Sequence, residues 1–167
     1  MLEKFYPNLQ AHRVHDIDLD FLIKNNIKGL ILDIDNTLVP DHVEEADENT
    51  IAWINKVKKM GFKVCIVSNA SEKRVVKFNN KLKVDIIHRA SKPNSKSFLK
   101  AMEIMNTKAS ETAVIGDQIF TDIYGGNKVN MFTILVSPID KREYFFVRLK
   151  RIPEKFVLAK MKNKRQT

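Results

Sequence analysis

The sequence predicts an α/β fold, a mainly parallel five-stranded sheet with helices on both faces, and three observations predict it. Aliphatic runs of strand type alternate with helical patterns from about Lys28 to Pro138. Four of those runs end in small polar or acidic residues, the arrangement of an open α/β sheet whose strand ends face a ligand. No internal repeat, low-complexity tract or Gly/Ser linker interrupts the alternation. Strands are predicted near 28–35, 63–69, 85–89, 112–117 and 132–137. The helix before the second strand is read from Ile51, Ile54, Val57 and Met60 at helical spacing, with Gly61 as its stop signal. Ser71 followed by Glu72 suits the start of the next helix. Phe98, Ala101, Met102 and Met105 form the apolar stripe of the helix after Pro93, and such stripes are core. Gly125-Gly126-Asn127 is expected to end the helix after Asp122, with positive φ or a close backbone approach as the reason for glycine.

A chain of 167 residues fits one domain spanning 1–167, with a basic C-terminal segment from about 143. The single cysteine, Cys65, sits inside a strand pattern and reads as a buried inert thiol. The absence of a disulfide framework agrees with a reducing cytoplasm. Met1 to Pro7 lacks the apolar stretch of a secretory signal, and no apolar run approaches the roughly 20 residues that span a bilayer. A cytoplasmic protein, soluble or peripheral on the inner face of the membrane, is expected. The formal charge of +9 and the pI near 9.6 favour polyanionic partners: nucleic acid, anionic lipid or a phosphorylated substrate.

The strongest chemical signal is Leu30-Ile31-Leu32-Asp33-Ile34-Asp35-Asn36-Thr37. Taking a carboxylate out of water costs several kcal/mol unless something positive pairs with it. Two acids closing an apolar strand therefore imply a cation, a phosphate-handling site, or both, and Mg²⁺ is the expected ion. The strand at 63–67 runs into Ser68-Asn69, polar groups suited to phosphate oxygens; Lys92-Pro93 places a cation in a loop; Ala113-Val114-Ile115-Gly116 runs into Asp117, with Asp122 shortly after. Taken alone, Asp117 also fits a helix N-cap, Asp122 a solvated helix face, Ser68-Asn69 a turn and Lys92 a solvated loop. Their order along one chain is what gives them weight.

That order, Asp-x-Asp-x-Thr, then Ser, then Lys, then Gly-Asp with a second Asp five residues on, resembles the four-motif set of the haloacid dehalogenase (HAD) superfamily of aspartyl phosphotransferases. Ile27-Lys28-Gly29, Val67-Ser68-Asn69, Lys92-Pro93, Gly116-Asp117-Gln118 and Gly125-Gly126-Asn127 are similar to the capless subfamily IIIA branch, which includes phosphatidylglycerophosphatases of the mitochondrial type. The resemblance implies a three-layer Rossmann-like fold and phosphomonoester hydrolysis through an aspartyl phosphate. Asp33 is then the nucleophile, Asp35 the general acid and base, and Thr37 the residue that orients Asp35 or closes the turn. Ser68 and the Asn69 amide hold phosphate oxygens, and Lys92 neutralises the transferring group. Asp33, Asp117 and the Asp35 backbone carbonyl ligate Mg²⁺, with Asp122 a ligand or its support. At Pro40-Asp41-His42 the chain departs from a tryptophan common in the branch, which concerns the lip of the site. The stretches from Asp35 to Ser68 and from Ser68 to Lys92 leave no space for a cap domain, so an open site is expected.

His12, His15, His42 and His88 show no metal-ligand spacing and read as surface or loop residues. From Tyr144 through Arg148, Lys150, Arg151, Lys155, Lys160, Lys162, Lys164 and Arg165 the chain mixes aromatics with bases, and Glu154 is the segment's acid. Such a segment suits an anionic membrane surface, and it equally suits a docking helix with a basic end. Three functions follow: a Mg²⁺-dependent phosphatase for phosphatidylglycerophosphate, the same chemistry on a soluble or macromolecular phosphoester, or a basic nucleic-acid or ribosome-binding protein that keeps the fold without turnover.

Overall fold

Successive side chains of a strand point to opposite faces, and here the alternation divides the core in two. In the computed structural model, which describes residues 2–140 and 145–165, Leu30, Leu32, Val64, Ile66, Ala113 and Ile115 pack on one face with Trp53, Ile54, Val57 and Phe78. Ile31, Cys65, Val67 and Val114 pack on the other with Phe98, Ala101 and Met105. Helices therefore cover both faces, as the sequence predicts. Burying each large aliphatic or aromatic side chain contributes about 1.5–3 kcal/mol, which fixes the register of every strand that carries one on each face.

In chain order the elements are β1 (Leu9–Ala11), α1 (Leu19–Lys24), β2 (Gly29–Leu32), α2 (Glu48–Lys59), β3 (Lys63–Val67), α3 (Glu72–Asn79), β4 (Asp85–Ile87), α4 (Ser95–Met105), β5 (Thr112–Gly116), α5 (Tyr124–Lys128), β6 (Phe132–Val136) and α6 (Phe145–Arg165). The sheet has six strands in the order β1-β6-β5-β2-β3-β4, with every neighbouring pair parallel. The sixth strand corrects the expected count. β1, an edge strand, carries only Leu9, Gln10 and Ala11, and it exists because β6 accepts it: the Asn8 amide donates to the Thr133 carbonyl at 2.9 Å, and the Asn8 Oδ1 accepts the Thr133 amide at 2.8 Å.

Helix starts follow their caps. Asp18, Asp47, Ser71 and Asn94 each accept a backbone N–H from the first turn of α1, α2, α3 and α4. α2 accordingly begins at Glu48, one turn before the periodic stripe at Ile51, and Gly61, at φ +94°, follows its end as expected. Gly125 and Gly126 do not end a helix; they lie inside α5. Close approach is their reason: a Cβ on Gly125 would stand 2.4 Å from the ring of fully buried Phe98, and one on Gly126 2.8 Å from Thr133.

The chain runs β2, β3, β4 outward, then returns to β5 on the other side of β2. That reversal opens a crevice at the carboxyl ends of β2 and β5, where ligands of open α/β sheets bind. Neither the connection from β2 to β3 nor that from β3 to α4 holds an inserted domain. Side chains of Tyr144 through Arg151, and of Lys164 and Arg165, which belong to the basic aromatic segment, lie outside the described residues.

Candidate active site

The last hydrogen bonds of the β2–β5 pairing bring the first acid to its place, as the Asp33 amide donates to the Ile115 carbonyl at 3.1 Å. Asp117 follows β5 beside it. Asp122 returns to the same point on a π-helical turn, Ile119–Ile123, in which the Ile123 amide reaches back five residues to the Gln118 carbonyl. The return requires glycine at 116, because a Cβ there would stand 2.3 Å from the Asp122 carboxyl. Oxygens of Asp33, Asp117 and Asp122 consequently lie within 4.8 Å of one another, and all three residues are buried.

One cation enters this cluster. Lys92 Nζ stands 2.8 Å from Asp33 Oδ1 and 2.6 Å from Asp122 Oδ1, with its side chain 3% exposed. Burial would strip the ammonium of its proton, but the charges of Asp122 and Asp33 outweigh burial and raise its pKa. Burial is also the largest influence on Asp122 and pushes it up to about 6; Lys92 pulls against that shift and Asp33 adds to it. Three carboxylates against one ammonium leave two negative charges unbalanced when all are ionised, the charge of a divalent cation. Asp33, Asp117 and Asp122 thus form a fitting oxygen set for a divalent metal ion.

Of the two roles expected of Thr37 it takes the second, closing the turn after Asp35 with its amide 3.1 Å from the Ile34 carbonyl, and it adds a further one. Its Oγ1 shares a single hydrogen between Asp33 Oδ2 at 3.3 Å and Asp117 Oδ1 at 3.2 Å, and it makes no bond to Asp35. Ser68 is buried at the end of β3, where its Oγ accepts the Ala70 amide at 3.1 Å and keeps its own hydrogen to donate. The Asn69 side chain clamps the lysine loop, a contact no local pattern signals: its Oδ1 accepts the Lys92 amide at 2.7 Å, and its Nδ2 donates to the Lys92 carbonyl at 3.3 Å.

Asp35 stands apart from the cluster, half-exposed, and its partner is Arg74, whose Nη2 donates to Asp35 Oδ1 at 3.0 Å. Burial, then the charge of Asp33, raise the Asp35 pKa, and Arg74 opposes them. Sequence reasoning missed Arg74, since a basic residue one turn into α3 carries no signal that it meets an acid 39 positions earlier. At the lip, Asn36 adopts φ +60° and binds the amide of Asp140, while His42 approaches Asp41 and Asp140 at 3.6 and 3.7 Å. The Pro40-Asp41-His42 departure is thus part of a polar rim. His88 is half-buried, with its Nε2 3.8 Å from Glu72 Oε1.

The family model described as mitochondrial PGP phosphatase matches residues 2–139. The chain belongs to that family. It is 39% identical to the Bacillus subtilis protein named Probable phosphatase YqeG over 98% of this chain and 96% of that one. It is 24% identical to phosphatidylglycerophosphate phosphatase 1, chloroplastic/mitochondrial, of Arabidopsis thaliana, over 84% of this chain and only 43% of the plant protein. Its fold is shared with the cobalt-bound deoxy-D-mannose-octulosonate 8-phosphate phosphatase of Haemophilus influenzae, at 16% identity and a TM-score of 0.53, covering 81% of this chain and 89% of that one. The chain is a HAD-type phosphatase, a hydrolase of phosphoric monoesters.

If the charge deficit is filled by a metal, Mg²⁺ at a hundredfold excess over its Kd should stabilise the fold by about 2.7 kcal/mol. For a domain of this size that is a rise in Tm of roughly 5–10 °C. Asp117→Ala should lose most of the rise while folding nearly as firmly without metal, since it relieves repulsion among carboxylates. Differential scanning calorimetry with and without Mg²⁺ checks both outcomes; an equal rise in the variant would contradict the assignment.

Proposed function

We propose that this phosphatase is Mg²⁺-dependent, works through phospho-Asp33 and takes phosphatidylglycerophosphate as substrate. The observation that carries the chemistry is the sharing of one buried ammonium, Lys92, by two of three buried carboxylates at the switch point of the sheet. Asp33 Oδ attacks phosphorus, the P–O bond to the alcohol breaks, and the departing oxygen takes a proton from Asp35. A water then gives its proton to Asp35 and attacks the phosphorus of phospho-Asp33, which releases inorganic phosphate and restores the carboxylate. A raised pKa suits Asp35 to carrying that proton. Ser68 and the Asn69 amide bind the non-transferring oxygens beside the start of α3, and Lys92 balances charge on the phosphoryl group. Asp33, Asp117 and the Asp35 carbonyl would hold Mg²⁺, with Asp122 a further ligand or its support; the ion would screen the repulsion between nucleophile and phosphate.

The lipid substrate is supported by the family description, by the plant relative and by the open crevice, which has room for a phosphate anchored on something large. Helix α6 supplies a face for a membrane. Glu154, Val157 and Met161 are its buried side, and the Ile119 amide donates to Glu154 Oε1 at 2.9 Å, tying α6 to the loop that follows Asp117. On the opposite side Ile152 is 69% and Phe156 60% exposed, the two most exposed large apolar residues described. They are four residues apart on one face, with Lys155, Lys160 and Lys162 around them and Lys160 Nζ 4.8 Å from the Phe156 ring. An anionic bilayer accommodates both features, adding about 1 kcal/mol of attraction for each lysine. No helix among the described residues is long and apolar enough to cross a membrane, so the contact on this reading is peripheral.

Two experiments test the two halves. Asp33→Asn, whose amide cannot attack phosphorus, should fall below about a hundredth of wild-type turnover, a loss of at least roughly 3 kcal/mol in barrier. Phe156→Glu should lower turnover on phosphatidylglycerophosphate in anionic vesicles and leave a water-soluble phosphoester unaffected, and added salt should narrow the difference. Equal vesicle turnover in wild type and variant at low salt would move the substrate to the soluble class.

A further inference from the structure

Arg74 occupies a position that packing alone does not explain. The capping bond from its own amide to Ser71 Oγ, 3.3 Å, fixes its backbone in the first turn of α3, directly after Ser68-Asn69-Ala70. Its guanidinium lies over the ring of fully buried Phe78, one turn on, with the carbon 5.6 Å from the ring centroid, and reaches Asp35 Oδ1 through Nη2. The fork geometry of arginine suits a two-point grip on a carboxylate, yet only one nitrogen is used. Nη1 is buried and has no hydrogen-bond acceptor among the described residues. Leaving a buried donor unpaired works against stability, and such groups in folded proteins call for a functional reason.

We infer that Arg74 is a positioning residue that aims Asp35 at the leaving-group oxygen. By holding Oδ1 against a guanidinium that Phe78 and the α3 cap keep in place, it turns the other carboxylate oxygen, Oδ2, toward the phosphate ester. Asp35 sits on a loop, with 36% of its side chain exposed, and no other side chain among the described residues binds it. Without Arg74 the carboxyl rotates freely, and each transfer must wait for the right rotamer. A misplacement of about 1 Å in such a group costs on the order of a hundredfold in rate. The inference rests on the reading of Asp35 as general acid.

The test compares two esters. Alcohols leaving from a short-chain, water-soluble phosphatidylglycerophosphate need a proton as the P–O bond breaks; p-nitrophenolate departs without one. The ratio of kcat/KM on the two esters reports only steps up to departure of the alcohol, so activation of water by Asp35 does not enter. Arg74→Met should lose about tenfold or more in kcat/KM on the alkyl ester beyond whatever it loses on the aryl ester, within the range of general acid catalysis. Arg74→Lys, which keeps the charge and loses the fork, should show a smaller deficit of the same sign, and it carries the comparison if Arg74→Met fails to fold. Equal losses on the two esters, or no loss on either, would overturn the inference. Asp35→Asn in the same assay separates the two readings. A selective alkyl-ester deficit in Asp35→Asn but not in the Arg74 variants sinks the role of Arg74 alone, whereas its absence from Asp35→Asn removes the general-acid reading and the inference with it.

Discussion

Lys92 brings one positive charge to three buried carboxylates, and the site is built around that imbalance. Each buried anion costs several kcal/mol unless it is paired, so a protein keeps such a group only where something repays the cost. The fold makes the repayment in parts. Lys92 pairs with Asp33 and Asp122, Thr37 divides one hydrogen between Asp33 and Asp117, and the Gln118 amide donates to Asp122 at 3.2 Å. What is left, two units of negative charge in an oxygen-lined pocket, defines the ion that belongs there more sharply than any one residue does.

The backbone serves the same end. Parallel pairing sets Asp33 and Asp117 on adjacent strand ends, the π turn brings Asp122 back, and Gly116 leaves room for its carboxyl. Asn69 holds the backbone of Lys92 from both sides, so the tip after β3 positions the cation. The acids, the lysine and Thr37 are therefore parts of one network, and a change in any of them is felt by the others.

Much of this was legible in the sequence. The aliphatic runs and their polar tips placed five strands, and the order of motifs picked out Asp33, Lys92, Asp117 and Asp122, which lie together in the structure. The illegible parts share a cause. β1 has three residues and depends on a partner strand more than 120 positions away; Arg74 depends on an acid across the crevice; Thr37 binds Asp117 because β2 and β5 are neighbours in space. Local pattern carries none of these contacts. Gly125 and Gly126 were half legible: the close approach expected of them is made to Phe98 and Thr133 on other elements, but the pair lies inside α5 and does not end it.

On the proposed function, this charge-imbalanced cluster exists to let Asp33 attack phosphorus. Acid quenching in the first turnover on a substrate carrying labelled phosphate, followed by peptide mapping, tests it most directly. Acid-stable, base-labile label is expected on the peptide that contains Asp33, and no label in the Asp33→Asn variant. Label on any other residue, or a first turnover that releases phosphate with no protein-bound label at any quench time, would contradict it.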